Sequence, residues 1–158
     1  MADRSPEQPT PRPIQPRTRA LRQPALFARI GGRSTVERIV EDFYDRVERD
    51  EVLRPIFPGD LAAGRAKQLL FLEQWLGGEP RYSQRFGHPR LRRRHFPFVI
   101  DDRAVGRWLK HMGDALRAAG VVEPEFAEIM AGLGPLAKHL ANANDDVPRE
   151  PLEDDRLE

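Results

Sequence analysis

The sequence predicts an all-α protein with four main helices. Three observations lead there. Apolar residues recur at spacings of three and four over four separate stretches, which is the period of one helix face. Glycine pairs and prolines stand where those stretches stop, at Gly31-Gly32, Pro55, Pro58, Gly77-Gly78 and Gly120. Nowhere do apolar and polar residues alternate over a useful length. The run Phe96-Pro97-Phe98-Val99-Ile100 is short and broken by a proline that cannot donate to a strand ladder.

A chain of 158 residues has room for one domain rather than two. Hydrophobic residues make up 39% and charged residues 32%, and no stretch has the uncharged apolar length of a membrane span, so a globular protein without a membrane partner is expected. The net charge of +1 argues against a protein that holds nucleic acid by bulk electrostatics. There are no cysteines, which removes disulfides, thiolate nucleophiles, cysteine-type zinc sites and iron–sulfur clusters. Any metal must sit on histidine or carboxylate. The N-terminus has no apolar signal core, so the expected location is cytoplasmic.

The ends differ in composition from the middle. Residues 1–24 interleave Pro6, Pro9, Pro11, Pro13, Pro16 and Pro24 with Arg4, Arg12, Arg17, Arg19 and Arg22, and read as a disordered basic arm. Residues 145–158 carry an excess of aspartate and glutamate and read as a disordered acidic tail. The folded domain is expected over residues 25–144.

Within it, Leu26–Ile30 reads as a helical turn stopped by Gly31-Gly32. Ser34 and Glu37 have the spacing of a capping box, and the helix they would open shows Val36, Ile39, Val40, Phe43, Tyr44 and Val47 on one face. Two prolines then make a corner, Pro55-Ile56-Phe57-Pro58, that turns Phe57 inward. A second helix is expected from Leu61 to Leu76, with Leu61, Gly64, Gln68, Phe71, Leu72 and Trp75 inside. Gln68 breaks that apolar line. A buried amide without partners costs about 1–3 kcal/mol, so it needs a hydrogen bond or a ligand. After an irregular stretch over residues 79–100, Asp101 reads as the N-cap of a third helix bearing Val105, Trp108, Leu109, Met112, Leu116 and Ala119. The last helix is expected from Pro124, with Phe126, Ile129, Met130, Leu133, Leu136 and Leu140 inside and a kink or break at Pro135.

The irregular stretch holds the densest chemistry. Gly87–Phe98 offers His88, His95, Arg90, Arg92, Arg93, Arg94, Phe96 and Phe98, closed off by Pro89 and Pro97. An imidazole beside apolar rings suits a metal in a dry pocket. Neighbouring arginines suit an anionic group, because guanidinium pairs bidentately with carboxylate. Haem combines a metal with carboxylates and would use both. Each residue also has a plainer reading. A lone histidine is by default a surface or core-edge residue, His88 reads as a turn residue, and His111 and His139 as ordinary packing or surface positions. Trp75, Trp108 and Tyr44 read equally well as large core side chains. A zinc site on His88 and His95 lacks two further ligands nearby. The arginines could also form a nucleic-acid patch with Phe96 and Phe98 stacking bases, but no nucleic-acid-binding signature accompanies them. What sets the haem reading apart is convergence: Tyr44, Gln68 and Trp108 place a hydroxyl, an amide and an indole on the inward faces of three helices.

Over residues 26–142 the sequence resembles the group II truncated haemoglobins. The motifs that carry the likeness are Gly31-Gly32, Phe43-Tyr44, Pro55-Ile56-Phe57-Pro58 and Phe71-Leu72-Glu73-Gln74-Trp75-Leu76-Gly77-Gly78. Tyr82-Ser83, Gly87-His88-Pro89-Arg90-Leu91-Arg92, His95-Phe96-Pro97-Phe98 and Trp108 complete them. The resemblance implies a two-over-two helical sandwich around haem b with His95 as proximal iron ligand. It further implies Phe57 against the porphyrin face, Tyr44, Gln68 and Trp108 as a distal hydrogen-bonding cluster, and Lys67, Tyr82, Arg92 and Arg94 at the propionates. Gly64 falls where many globins place a distal histidine, so ligand stabilisation would rest on the other three. Pro135 departs from the family pattern.

The implied function is reversible binding of dioxygen or another diatomic gas. Redox catalysis on the same haem, as a nitric oxide dioxygenase or peroxidase-like enzyme, is the alternative. It would need a separate reductase, since the chain carries no flavin or nicotinamide motif. A haem-free arginine-patch binding module is the second alternative. A homodimer is left open.

Overall fold

The computed structural model describes residues 23–152. Its elements are α1 (Leu26–Arg29), α2 (Arg33–Glu48), α3 (Ala62–Trp75), α4 (Arg81–Phe86), α5 (Leu91–Arg94), α6 (Asp102–Ala118) and α7 (Glu125–His139), with one 3-10 turn at Arg54–Ile56. No strand is present among the described residues, and none of their helices is long and apolar enough to cross a membrane. Helix α2 packs on α3 and on α6, and α6 packs on α7. Two helix pairs thus face each other, the expected two-over-two arrangement.

The helices form where the apolar period puts them. All six predicted inner residues of α2 are buried, and Phe43, Ile39, Met112, Leu116, Ile129 and Leu133 form the fully enclosed centre between α2, α6 and α7. Burying side chains of this size contributes about 1.5–3 kcal/mol each, more than propensity differences along any one helix. Asp101 caps α6 as expected, its Oδ1 accepting from Ala104 N at 2.8 Å. Gly120, at φ +88°, ends it in the left-handed region.

Three expectations need correction. Ser34 is not a cap: Gly31 and Gly32 turn the chain at φ +111° and +73°, so α2 already begins at Arg33 with Gly32 in the cap position and no side-chain cap bond. The stretch 79–100 is not wholly irregular, since it contains α4 and α5. Both are too short to show a period. Helix α7 does not break at Pro135 but runs on to His139. The carbonyl that Pro135 deprives of a donor belongs to Ala131, and both residues are exposed, so water can satisfy it.

Of the basic arm read over residues 1–24, all but the last two residues lie outside the described part, as do residues 153–158 of the acidic stretch. As far as residue 152 that stretch is tied to α5 and the residues after it. Arg92 Nη2 lies 2.7 Å from Asp145 Oδ2, Arg93 Nη1 donates to Glu150 O at 3.0 Å, and Arg149 Nη1 donates to Phe96 O at 3.0 Å.

Candidate functional site

His95 stands at the C-terminal cap of α5, and its ring nitrogen Nδ1 lies 2.6 Å from Leu91 O. A carbonyl only accepts, so Nδ1 carries the proton and donates. In the neutral imidazole the lone pair then falls on Nε2, the form a metal ligand requires, and the bond to Leu91 O restrains the ring's rotation. His95 stands out in the sequence, whereas nothing there signals the Leu91 carbonyl, a backbone atom brought beside the ring by the helical turn of α5.

On α2, Tyr44 is 4% exposed and packs edge-on against Phe43 and Phe57, with ring centroids 5.5 and 6.0 Å apart. Trp108 of α6 meets the same Phe43 ring at 5.4 Å. Phe43 therefore gathers the phenol and the indole from two helices. Gly64 of α3 faces the phenol so closely that a Cβ placed there would lie 3.0 Å from Tyr44 Oη. Gln68 is one helical turn further along the same face of α3. Phe43 and Gly64 thus bring the phenol and the indole to one side of α3, and Gln68 is placed there only by its helical spacing from Gly64. Among the described residues, none bonds to the Tyr44 hydroxyl, the Gln68 amide or the Trp108 indole. Burial pushes the Tyr44 hydroxyl up to about 12, against the opposing charge of Arg65, whose guanidinium lies 5.5 Å from the ring centroid. Tyr44 is accordingly a neutral donor at any physiological pH.

The residues expected at the propionates fall into two groups. Tyr82 is buried between Phe71 and Phe86, and Lys67 Nζ lies 5.1 Å from the Phe86 ring, so α3 and α4 bring these two to one aromatic edge. Gln74 holds α4 in place by accepting from Ser83 N at 2.9 Å and donating to Ser83 Oγ at 2.8 Å. Arg92 and Arg94 lie on α5. Arg94 Nε donates to Pro89 O, while Arg92 pairs with Asp145 through Nη2 and leaves Nη1 buried without a partner. An orphaned buried guanidinium nitrogen is what a missing carboxylate acceptor would leave.

Apolar surface tells the same story. Phe57, Phe71, Phe86, Phe96, Phe98 and Trp108 are each only partly buried, although the core beside them is closed. Rings left half-covered beside a closed core fit a flat apolar group, and with the Nδ1–H of His95, the Tyr44 and Trp108 donors and the Arg92 orphan the residues present fit a porphyrin with iron and carboxylates. Arg92, Arg93 and Arg94 are all engaged with intramolecular acceptors, which weighs against a surface patch for nucleic acid.

Some partners had no sequence signal. Glu73 is a carboxylate buried in α3, with Arg33 Nη1 at 3.2 Å and Arg81 Nη1 at 3.8 Å. His111, expected to be ordinary packing, has Nε2 2.5 Å from Asp50 Oδ2, and Arg107 Nε approaches both oxygens of that carboxylate at 3.0 and 2.8 Å. Burial opposes the charge on Asp50, but hydrogen bonds from His111, Leu53 N, Arg107 and Val52 N outweigh it and hold the carboxyl well below the usual range. His88 is a turn residue as read, its Nδ1 accepting from Arg90 N at 3.1 Å.

Comparison with known proteins places the chain among relatives. The profile of the family described as bacterial-like globin matches residues 25–142. Group 2 truncated hemoglobin YjbI of Bacillus subtilis (strain 168) is 42% identical over 112 residues, covering 70% of this chain and 84% of that protein. The crystal structure of hemoglobin from the thermophilic phototrophic bacterium Chloroflexus aurantiacus superposes with a TM-score of 0.73 at 47% identity, over 76% of this chain and 99% of that one. The X-ray structure of truncated oxygen-avid haemoglobin from Bacillus subtilis does so with a TM-score of 0.72 at 38% identity, over 75% of this chain and all of that one (100%).

Proposed function

The chain belongs to the bacterial-like globin family as a group II truncated haemoglobin, and from that premise we propose that it binds dioxygen reversibly, with His95 holding the iron of haem b. Haem binding itself follows from the family. The haem iron, when bound, supplies the coordination position for a diatomic gas. The chain's own residues do the rest. His95 presents Nε2 and keeps its proton on Nδ1, anchored to Leu91 O. Tyr44, Gln68 and Trp108 donate toward a ligand that takes on partial negative charge. Because Tyr44 is enclosed by Phe43 and Phe57, its donation occurs at low dielectric, where it is worth more than in water. Phe57 covers one face of the macrocycle, and Arg92 with Lys67 and Tyr82 answers the propionates. Domain limits of 25–144 for the globin fold accompany this reading.

The observation that carries it is the meeting of the Tyr44 phenol and the Trp108 indole on the Phe43 ring, with Gly64 against that phenol, together with a histidine whose Nδ1 proton is held by Leu91 O. The likeness to an oxygen-avid haemoglobin supports oxygen as the ligand. Stopped-flow oxygen dissociation from the reduced, haem-loaded protein tests it. Tyr44→Phe, Gln68→Leu and Trp108→Phe should each speed release. A hydrogen bond to a charged acceptor is worth about 1.5–3 kcal/mol, which is roughly a 10- to 100-fold change in rate. Unchanged release in all three variants would refute the distal assignment. Sustained turnover of nitric oxide or peroxide with an added reductase, outpacing simple gas release, would move the protein to the redox reading.

A further inference from the structure

We infer that Asn142, braced by Arg149, is a positioning residue for the iron ligand, so that the chain beyond the last helix sets the geometry of His95. The inference rests on His95 being that ligand.

Asn142 is 1% exposed, and every polar atom of its side chain is used within one short window of sequence. Its Nδ2 donates to His95 O at 3.1 Å and to Phe98 O at 3.0 Å. Its Oδ1 accepts from Ile100 N at 3.1 Å and from Arg149 Nη1 at 2.8 Å. Its backbone N–H donates to Ile100 O at 2.9 Å, beside Ala143 N at 3.0 Å. Arg149 closes the arrangement. The same Nη1 donates to Phe96 O at 3.0 Å, and Nη2 donates to Asn142 O at 2.9 Å. The carbonyls of residues 95, 96 and 98 are therefore all held by two side chains that follow α7.

Helix α5 cannot supply that restraint itself. It is four residues long, none of them buried, and its entry residue Arg90 sits in the left-handed region at φ +45°. A single turn without a packed face has no fixed angle of its own. His95 is instead gripped twice, at the ring by Leu91 O and at the backbone by Asn142. Asn142 lies two residues past the Leu140 cap of α7, whose Ile129, Leu133 and Ala137 are buried in the bundle, so the grip refers the imidazole to the rigid core. A fully satisfied buried amide is worth more than its bonds counted singly, and losing it orphans several groups at once.

The test is resonance Raman spectroscopy of the ferrous, ligand-free, haem-loaded full chain, read at the iron–histidine stretch, together with the rate of haem loss to an excess of a scavenging apoglobin. Asn142→Ala and Arg149→Met should each shift or broaden the stretch and speed haem loss about tenfold or more, the scale on which supporting partners of metal ligands act. Asp50→Asn serves as the control for general destabilisation, since Asp50 bonds to none of residues 91–100; it should leave the stretch in place. If Asn142→Ala does not fold, Arg149→Met carries the test, because Arg149 is only partly buried. A stretch and a haem-loss rate equal to the parent in the folded variants, or changes no larger than those of Asp50→Asn, would overturn the inference. His95→Gly separates this from failure of the underlying reading. If that variant keeps the band, His95 is not the ligand; if it loses the band while Asn142→Ala and Arg149→Met leave it unmoved, His95 is the ligand and the brace is not.

Discussion

Tyr44 holds its proton because ionising it would strand a phenolate between the rings of Phe43 and Phe57. Two consequences follow from a hydroxyl that titrates near 12 rather than near the ordinary value of about 10. Oxygen release should show no inflection from Tyr44 between pH 6 and 10, since the donor stays protonated throughout. Stability should fall as pH rises from about 10 to about 12, because the unfolded chain then gives up the tyrosine proton while the folded one retains it. Urea unfolding at stepped pH measures this, and Tyr44→Phe should lose that part of the alkaline decline; an identical decline in the variant would contradict the burial argument. At this scale the sequence was informative where chemistry is carried by unusual side chains in unusual company. His95 among arginines and Gln68 on an apolar line stand out as letters. Leu91 O, a backbone atom, and Asn142, one asparagine between a helix end and an acidic run, do not.

Helices show the same division. The long ones were legible because their buried faces repeat: α2, α6 and α7 lie within a residue or two of the limits their apolar periods suggest. Helices α4 and α5 hide because four to six residues span less than two turns, and what fixes them is tertiary, the Gln74–Ser83 pair for α4 and the Asn142–Arg149 brace after α5. Glycines within helices separate into two kinds that sequence cannot distinguish. Gly132 of α7 faces Trp75 of α3 so tightly that an added Cβ would lie 2.8 Å from Cζ2 of the indole, whereas Gly106 of α6 has open space. Gly132→Ala should destabilise by about 1–3 kcal/mol, overpacking outweighing the gain in helix propensity. Gly106→Ala should stabilise by roughly 0.5–1 kcal/mol. Thermal or urea unfolding of the two variants checks the opposite signs; equal signs would mean that the α3–α7 contact is looser than the packing of Trp75 on Gly132 requires.

Across the whole molecule, Asp50 ties the end of α2 to α6, bonding Arg107 and His111 on either side of Trp108 in sequence. Asp50→Asn should cost about 1–3 kcal/mol at neutral pH, reduced by the partial exposure of Arg107. A carboxyl held below its ordinary range stabilises the fold above about pH 4, and that contribution drains away as pH falls through the folded value. The gap between parent and variant should therefore narrow below pH 4, and a gap that stays constant would show that the charge is not what matters. One domain, its all-helical class and its haem reading could be argued from sequence because they rest on periodicity and on a few motif residues. The closure of the chain from residue 142 onward over the His95 segment could not, since it joins residues 47 and 53 positions apart through one amide and one guanidinium. The claim on which all of this depends is the bond between iron and residue 95. Absorption spectra of haem-loaded parent, His95→Gly, and His95→Gly with added imidazole test it most directly: the account predicts a Soret band in the parent, its loss or displacement in the variant, and its recovery with imidazole. A variant spectrum identical to the parent's without imidazole would contradict it.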